Sequence, residues 1–201
     1  MDEKLKVFYF LEDIGHEFFI KALIERVCHN VQIDHIIRNA SGGKGRVLTE
    51  LKNFLWDMKG SLLDGFLIVA IDSNCSPYKE MRKKIAKIVG ENLSTLYALA
   101  IPNPHIERWY MLDTSALNKI LGVKKTQPVK KAKCKKDYYK NLFDKIIKES
   151  NKVAPLGAPD FAEEIVQEMD LYEAGKNDSS FKQFIDDVKR LVKICPKGGE
   201  I

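Results

Sequence analysis

Two acidic side chains stand directly after apolar segments of the chain, and an amide follows the second of them. Glu12 comes after KVFYFL at 6–11, and Asp72 comes after GFLIVAI at 65–71, with Asn74 two residues further on. Mg²⁺ and Mn²⁺ bind to oxygen ligands of these two kinds. The three residues are therefore candidate metal ligands. Asp and Asn are also common after strands as turn and capping residues, so a structural role stays open.

The segments that carry these residues belong to a regular alternation of strands and helices. Short runs rich in aromatic and β-branched residues predict strands at 6–11, 31–37, 66–71 and 95–101. Apolar residues at helical spacing, such as Phe19, Leu23 and Val27, predict helices between the strands. This order predicts an α/β fold of Rossmann-like shape, in which a mostly parallel four-stranded sheet is flanked by helices.

The expected sheet brings the candidate ligands together. In open α/β sheets, ligands bind at the carboxyl ends of the strands. If the first and third strands are neighbours, as a right-handed βαβαβ unit permits, Glu12 and Asp72 converge on one edge. Asp13 is a reserve ligand, although neighbouring strand residues point to opposite faces. His16 can face the same edge, but a solvated position at the start of a helix is the preferred interpretation.

The chain changes character after about residue 123. A helical pattern covers 105–121, and helical patterns return at about 137–149, 160–174 and 179–194. The stretch between them, 124–136, holds seven lysines, which are Lys124, Lys125, Lys130, Lys131, Lys133, Lys135 and Lys136. We therefore divide the chain into an α/β domain at 1–123, a basic linker at 124–136 and a helical C-terminal extension at 137–201 that packs on the same domain. The lysines are candidate nucleic-acid ligands, or else a solvated linker.

Composition limits the possible environments. The 201 residues carry a net charge of +5, which permits an anionic partner without requiring one. The four cysteines form no CxxC pair, so a zinc site is not expected and reduced thiols are. The N-terminal segment is not a secretory signal, and no apolar run approaches the roughly 20 residues of a membrane span. These features predict a soluble cytoplasmic protein without membrane contact.

Four stretches in this order resemble a known family. A strand ending in Glu12 and a later strand ending in Asp-x-Asn resemble the Toprim superfamily, in which the later strand ends in Asp-x-Asp. The GGK at 42–44 and IPNPHIERWYMLD at 101–113 are similar to segments of one subgroup. The helix SSFKQFIDDVKRL at 179–191 also resembles the C-terminal helix of the same subgroup. That subgroup consists of small bacterial Toprim-like proteins of unknown function, related to RloB-like and overcoming-lysogenization-defect-type nucleases. The resemblance covers about residues 6–192.

The resemblance implies roles for individual residues. Glu12 would act as general acid or base and sometimes as a metal ligand, and Asp72 would be the first aspartate of the metal pair. Asn74 stands where a second aspartate is usual, so metal affinity should be lower. The implied function is Mg²⁺- or Mn²⁺-dependent cleavage of nucleic acid, beside an ATPase partner, in defence against phage or mobile DNA.

Two alternatives to that function stay open. The first is a Toprim-shaped binding or regulatory subunit that has lost catalysis, which Asn74 favours. The second is a nucleotide-binding module of flavodoxin-like shape, although no GxGxxG follows the first strand.

Two further residues are candidates of second rank. Glu107 either joins the acidic edge or pairs with a basic side chain, while its neighbour Trp109 is expected to fill the core. Lys44 either meets a phosphate at a helix N-terminus or lies in an ordinary flexible loop.

Overall fold

The fold is an α/β arrangement around one parallel sheet. The computed structural model describes residues 4–58, 62–91, 93–124, 126, 129 and 132–195. The strands are β1 (Leu5–Leu11), β2 (Ile33–Ala40), β3 (Phe66–Ala70) and β4 (Tyr97–Ala100). They form a four-stranded sheet in the order β2-β1-β3-β4, and each neighbouring pair is parallel. The predicted α/β fold with a mostly parallel sheet is confirmed.

The helices follow the strands and then continue beyond the sheet. After β1, β2 and β3 come α1 (Ile14–Val27), α2 (Gly43–Met58) and α3 (Tyr78–Val89). After β4 come α4 (Glu107–Tyr110), α5 (Thr114–Leu121), α6 (Tyr138–Ser150), a 3₁₀ helix (Ala158–Phe161), α7 (Ala162–Glu168), α8 (Leu171–Asn177) and α9 (Ser179–Ile194). None of the helices in the described ranges combines the length and apolarity needed to cross a bilayer.

The two faces of the sheet are covered unequally. On one face, α2 and α3 pack a small core around Phe10, Leu67 and Val69. On the other face, α1 and the helices after β4 share a larger core. Trp109 lies fully buried in this core, with Phe181 edge-on at 5.2 Å between ring centroids and Phe184 nearby. Aromatic pairs of this kind add about 0.5–1.5 kcal/mol beyond their buried area, so they fasten α4 and α9 to each other.

Several predicted boundaries are wrong, and side-chain hydrogen bonds explain most of them. The helix predicted over 105–121 is two helices, because the Asp113 carboxylate accepts the backbone N–H groups of Ser115 and Ala116 and starts α5 there. Asp170 caps α8 in the same way and divides the helix predicted over 160–174.

The second strand also differs from its prediction. It runs to Ala40, beyond the predicted end at 37, because Asn39 and Ala40 still pair with the last residues of β1. The Asn39 side-chain amide donates to the Leu11 carbonyl at 2.8 Å and holds the strands together there. The segment 39–45 is therefore strand at its start and helix at its end.

Candidate metal centre at the carboxyl edge of the sheet

The candidate site lies where the strand order reverses. The chain builds β1 and then β2 on one side, and it crosses back to place β3 and β4 on the other side of β1. In open α/β sheets, this reversal opens a crevice beyond the carboxyl ends of the two central strands. Glu12 directly follows β1, and Asp72 follows β3 by two residues. The expected convergence of the first and third strands is therefore found.

Backbone hydrogen bonds hold the two strand ends together. Glu12 N–H donates to the Ala70 carbonyl at 3.0 Å, and the Glu12 carboxylate accepts the Asp72 backbone N–H at 2.7 Å. The backbone N–H of Lys44, at the start of α2, also donates to this carboxylate. Burial raises the pKa of Glu12, these N–H donors lower it in part, and the nearby Asp72 charge raises it again. Lys44 thus joins the site through its backbone.

His16 enters the same crevice from the first turn of α1. Asp13 is the N-cap of α1, and one of its carboxylate oxygens accepts the His16 backbone N–H at 3.0 Å. The same oxygen lies 2.8 Å from His16 Nδ1. This pair fixes the ring so that Nε2 points at Asp72, with 3.1 Å between Nε2 and the Asp72 Oδ1. The imidazole is completely buried, so the prediction of a solvated His16 is wrong.

The charges in this group shift one another's pKa. Burial lowers the pKa of His16, but Asp13 and Asp72 on its two nitrogens outweigh burial and raise the pKa to about 10. For Asp13, burial raises the pKa, but the contact with His16 lowers the pKa by more, so the pKa lies below its ordinary value. Without a metal, His16 is therefore an imidazolium held between two carboxylates at neutral pH.

Two atoms at the centre of the group lack hydrogen bonds. His16 Nε2 and Asp72 Oδ1 are both buried and lie within ion-pair distance, but their geometry is not that of a hydrogen bond. Neither atom has another hydrogen-bond partner among the described residues. The two atoms face each other as an ion pair at 3.1 Å, and a cation that replaced the proton between them would be ligated by both.

The group can hold a metal ion. One ligand atom from each of Glu12, His16 and Asp72 lies within 4.8 Å of the others. When His16 donates through Nδ1 to Asp13, its Nε2 is left as the ligand atom, which is the usual arrangement of a carboxylate behind a metal-bound histidine. The residues therefore supply both the ligands and the support that a cation needs.

The amide predicted as a ligand contacts a histidine of the loop after β4. Asn74 is exposed, with a positive φ of 48°, and its side-chain oxygen lies 3.1 Å from His105 Nε2. The loop that carries it is fixed by Asn74 N–H donating to the Pro104 carbonyl and by Ser73 Oγ donating to the Asn103 side chain. Asn74 therefore lies near the edge of the crevice and turns toward the loop after β4.

Glu107 occupies the wall of the crevice. It lies at the start of α4 and lines a cavity of about 280 Å³ together with Asp13. Burial raises the pKa of Glu107, its own backbone N–H lowers it, and the Asp72 and Asp13 charges raise it again. The sequence offered two interpretations of Glu107, a place at the acidic edge or a pair with a basic side chain. The observed position agrees with the first. Its neighbour Arg108 turns away into the core.

The lysine-rich segment is tied to the loop of the site. Cys134 forms a disulfide with Cys75, one residue after Asn74, so the expectation of reduced thiols is wrong for this pair. Cys28 and Cys195 are free and buried. Of the predicted nucleic-acid ligands, Lys124, Lys133, Lys135 and Lys136 are exposed. Lys125, Lys130 and Lys131 lie outside the described residues.

His16 is the site residue that the sequence interpretation named as able to face this edge but did not prefer. The signal for it was Asp13, because an N-cap aspartate three residues before a histidine places the ring against that carboxylate. No family model, curated protein or solved structure matches this chain. Its function therefore has to be argued from the site itself.

Proposed function

We propose that this protein is a metal-dependent phosphodiester-cleaving enzyme of Toprim-like type that acts on nucleic acid. The observation that supports the proposal is the group of Glu12, His16 and Asp72 at the strand-order reversal, whose ligand atoms lie within 4.8 Å of one another. A hydrolytic site needs a cation at a phosphate and a carboxylate that can exchange a proton. This edge of the sheet offers both.

Each residue has a distinct task in this proposal. A bound divalent cation would neutralise the phosphate and the developing charge on the attacking and leaving oxygens. Asp72 and His16 hold the cation position, and Asp13 keeps the His16 ring oriented through Nδ1. Glu12 orients Asp72 by accepting its backbone N–H. Glu107, whose pKa is raised by burial and by the neighbouring carboxylates, exchanges the proton from the cavity wall.

The ligand set favours Mn²⁺ over Mg²⁺. Both cations take carboxylate oxygens, but a histidine nitrogen suits the transition metal better than the hard Mg²⁺ ion. Asn74 adds no charge where the Toprim resemblance expects an aspartate. The exposed lysines near the Cys75–Cys134 disulfide favour an anionic substrate. An ATPase partner and a role in defence against phage or mobile DNA are further parts of the proposal, supported by the resemblance alone. The cytoplasmic setting predicted from the composition is opposed by the Cys75–Cys134 disulfide, since disulfides are rare in the cytosol.

Calorimetry with Mn²⁺ tests the metal site, and a cleavage assay then tests the activity. We expect wild-type protein to bind one Mn²⁺, and Asp72→Asn and Glu12→Gln to weaken binding by at least about tenfold. Asp113→Asn is the matched control, since this aspartate caps α5 and should leave Mn²⁺ binding unchanged. Labelled DNA and RNA should then be cleaved with Mn²⁺ and remain intact with Asp72→Asn. If the wild-type protein binds no Mn²⁺, either alone or together with nucleic acid, the proposal is refuted.

A second candidate is a Toprim-shaped binding subunit without catalysis. This candidate is favoured by Asn74, which is exposed and contacts His105. Asp72 is then the single charged residue that the segment after β3 contributes to the metal group. This candidate predicts tight binding of nucleic acid and Mn²⁺ with no cleavage of DNA or RNA at any Mn²⁺ concentration. Cleavage that depends on Asp72 would exclude it.

A further inference from the structure

A cavity lies beside Asp13, the residue whose carboxylate contacts His16 of the metal group. Its volume is about 280 Å³, and it lies between the start of α1, α4, α6 and the 3₁₀ helix. Asp13 and Glu107 belong both to this cavity and to the charged edge around Asp72. A molecule in the cavity would therefore contact two carboxylates of the charged edge that includes the metal group.

The lining combines flat apolar contacts with hydrogen-bond acceptors. Its apolar part is formed by Ile14, Ile106, Phe143, Leu156 and Pro159. Glu107 and Asp144 add carboxylates that can accept N–H donors, and the exposed Lys140 adds one positive charge. Such a lining suits a group with apolar faces, N–H donors at its edge and an attached anion.

Two apolar side chains at this cavity are exposed. Ile14 is 44% exposed and Leu156 is 50% exposed, although both contact the cavity. Burial of apolar surface on this scale gains about 25 cal/mol per Å². A ligand that covered both side chains would therefore bind partly through them.

The size and depth of the site restrict the ligand. Small-molecule sites usually have volumes of about 300–1,000 Å³, so this cavity holds one small ring system and not a base pair. His16 is fully buried and Asp72 is 9% exposed. These buried groups favour a substrate whose phosphate can enter the crevice, and a duplex whose bases stay stacked is less able to bend a phosphate into it. A nucleotide that has left the stack can do so.

We propose that this cavity binds one unpaired nucleobase of a nucleotide whose phosphate lies at the metal group. The inference rests on the proposed function and specifies its substrate class, which is a single strand or an unpaired strand end. The base packs against Ile14 and Leu156, its N–H edge faces Glu107 and Asp144, and Lys140 contacts a flanking phosphate. A free mononucleotide offers the same chemistry, so the test has to separate the two sources.

Binding measurements on the full chain with Mn²⁺ separate them. Fluorescence anisotropy would compare a labelled short single strand with the same sequence as a duplex, and calorimetry would compare adenosine monophosphate with ribose 5-phosphate. We expect the single strand to bind at least about tenfold tighter than the duplex. A stacked base of the duplex cannot enter the cavity, so the duplex lacks this apolar contact. Ribose 5-phosphate, which lacks the base, should bind at least about tenfold weaker than the mononucleotide.

Cavity variants supply the internal control. Leu156→Ala and Asp144→Asn should each reduce the preference for the base, while Leu62→Ala, at a side chain that is 97% exposed and does not line this cavity, should leave it unchanged. Leu156 and Asp144 are both at least partly exposed, so the fold should persist in the two cavity variants. Equal binding of duplex and single strand, or an unchanged base preference in both cavity variants, would overturn the inference. Binding of the mononucleotide without binding of the strand would also overturn it.

The experiments can refute the base-binding cavity and the proposed enzyme activity independently. A strand that binds through the cavity and is not cleaved would leave the inference standing and refute the proposed enzyme. A duplex that is bound and cleaved as well as the single strand would refute the inference and leave the enzyme standing.

Discussion

The molecule holds two clusters of charged side chains at the ends of its strands and helices, and they are built differently. In the first, Arg108 pairs with Asp178 and donates to the carbonyls of Asn103 and Asn177. Asp178 in turn caps α9 by accepting the backbone N–H groups of Ser180 and Phe181. This cluster joins the loop after β4 to the N-terminus of α9.

The second cluster, formed by Glu12, Asp13, His16 and Asp72, leaves ligand atoms unpartnered. Four buried side-chain atoms in the described part of the chain lack a hydrogen bond, and two of them are His16 Nε2 and Asp72 Oδ1. The other two, Arg108 Nε and Trp109 Nε1, are N–H donors that cannot bind a cation. The difference separates a cluster that holds the fold from one that can hold a ligand.

The largest expected effect comes from breaking the structural cluster. Arg108→Met should lower the free energy of unfolding by about 3–5 kcal/mol, because Asp178 would keep a buried charge without its partner. Urea-induced unfolding without metal measures this loss.

A second substitution controls for the lost charge balance. Adding Asp178→Asn to Arg108→Met should recover part of the stability, since no buried charge is left and Asn still caps α9. Mn²⁺ affinity should stay within about twofold of wild type in both proteins, since neither residue belongs to the metal group. A tenfold loss of Mn²⁺ affinity in Arg108→Met would show that the two clusters are not separate.

The next effect is a pH dependence of metal binding. A proton and a metal ion compete for His16 Nε2, and the raised pKa of His16, about 10, keeps that proton in place at neutral pH. Mn²⁺ affinity should therefore rise with pH below that value, by up to about tenfold per pH unit. Calorimetry between roughly pH 6.5 and 8.5 checks the slope, and His16→Asn should flatten it. A flat profile for the wild-type protein would remove His16 from the ligand set.

A smaller effect should follow from the residue behind His16. Asp13→Asn should weaken Mn²⁺ binding by about 10- to 100-fold, because the carboxylate that orients the ring and raises its basicity is lost. Asn still caps a helix, so the stability of α1 should change little. Asp113→Asn makes the same chemical change at the N-cap of α5, away from any histidine contact. Equal Mn²⁺ affinities for the two variants would contradict the proposed role of Asp13.

The sheet could be predicted from the sequence because its strands are continuously apolar. Phe66–Ala70 is buried on both faces, and a run of this kind has few alternatives in an α/β chain. The divisions within 105–121 and 160–174 were missed because apolar periodicity continues across them. Only the hydrogen bonds of Asp113 and Asp170 to the next turn divide those helices.

The site was predictable in part, and for a different reason. Glu12 and Asp72 follow from the rule that parallel strands present their carboxyl ends at one edge. His16 did not follow, because its burial depends on two carboxylates whose positions only the folded chain defines. The Cys75–Cys134 disulfide joins residues 59 positions apart, a pairing that cysteine spacing alone does not specify.

The smallest effect is the sharpest test of the comparison, because its sign is opposite to that of Arg108→Met. The pKa of Glu12 is raised in the folded protein, so this carboxyl stabilises the fold most at low pH and loses that contribution as pH rises through its folded value. At neutral pH its charge therefore opposes folding. Glu12→Gln should raise the free energy of unfolding by about 0.5–1 kcal/mol without metal, while weakening Mn²⁺ binding.

Unfolding in urea at neutral pH, with and without Mn²⁺, measures both effects of Glu12→Gln in one series. The wild-type protein should gain more stability from Mn²⁺ than the variant does, because only binding to the folded state shifts the equilibrium. At a pH below about 4, where the wild-type carboxyl is protonated, the advantage of the variant should vanish. A loss of about 3 kcal/mol or more in the variant without metal would place Glu12 with Arg108, as a residue that holds the fold. The acidic edge would then be a structural feature, and the unpartnered atoms of His16 and Asp72 would need another explanation.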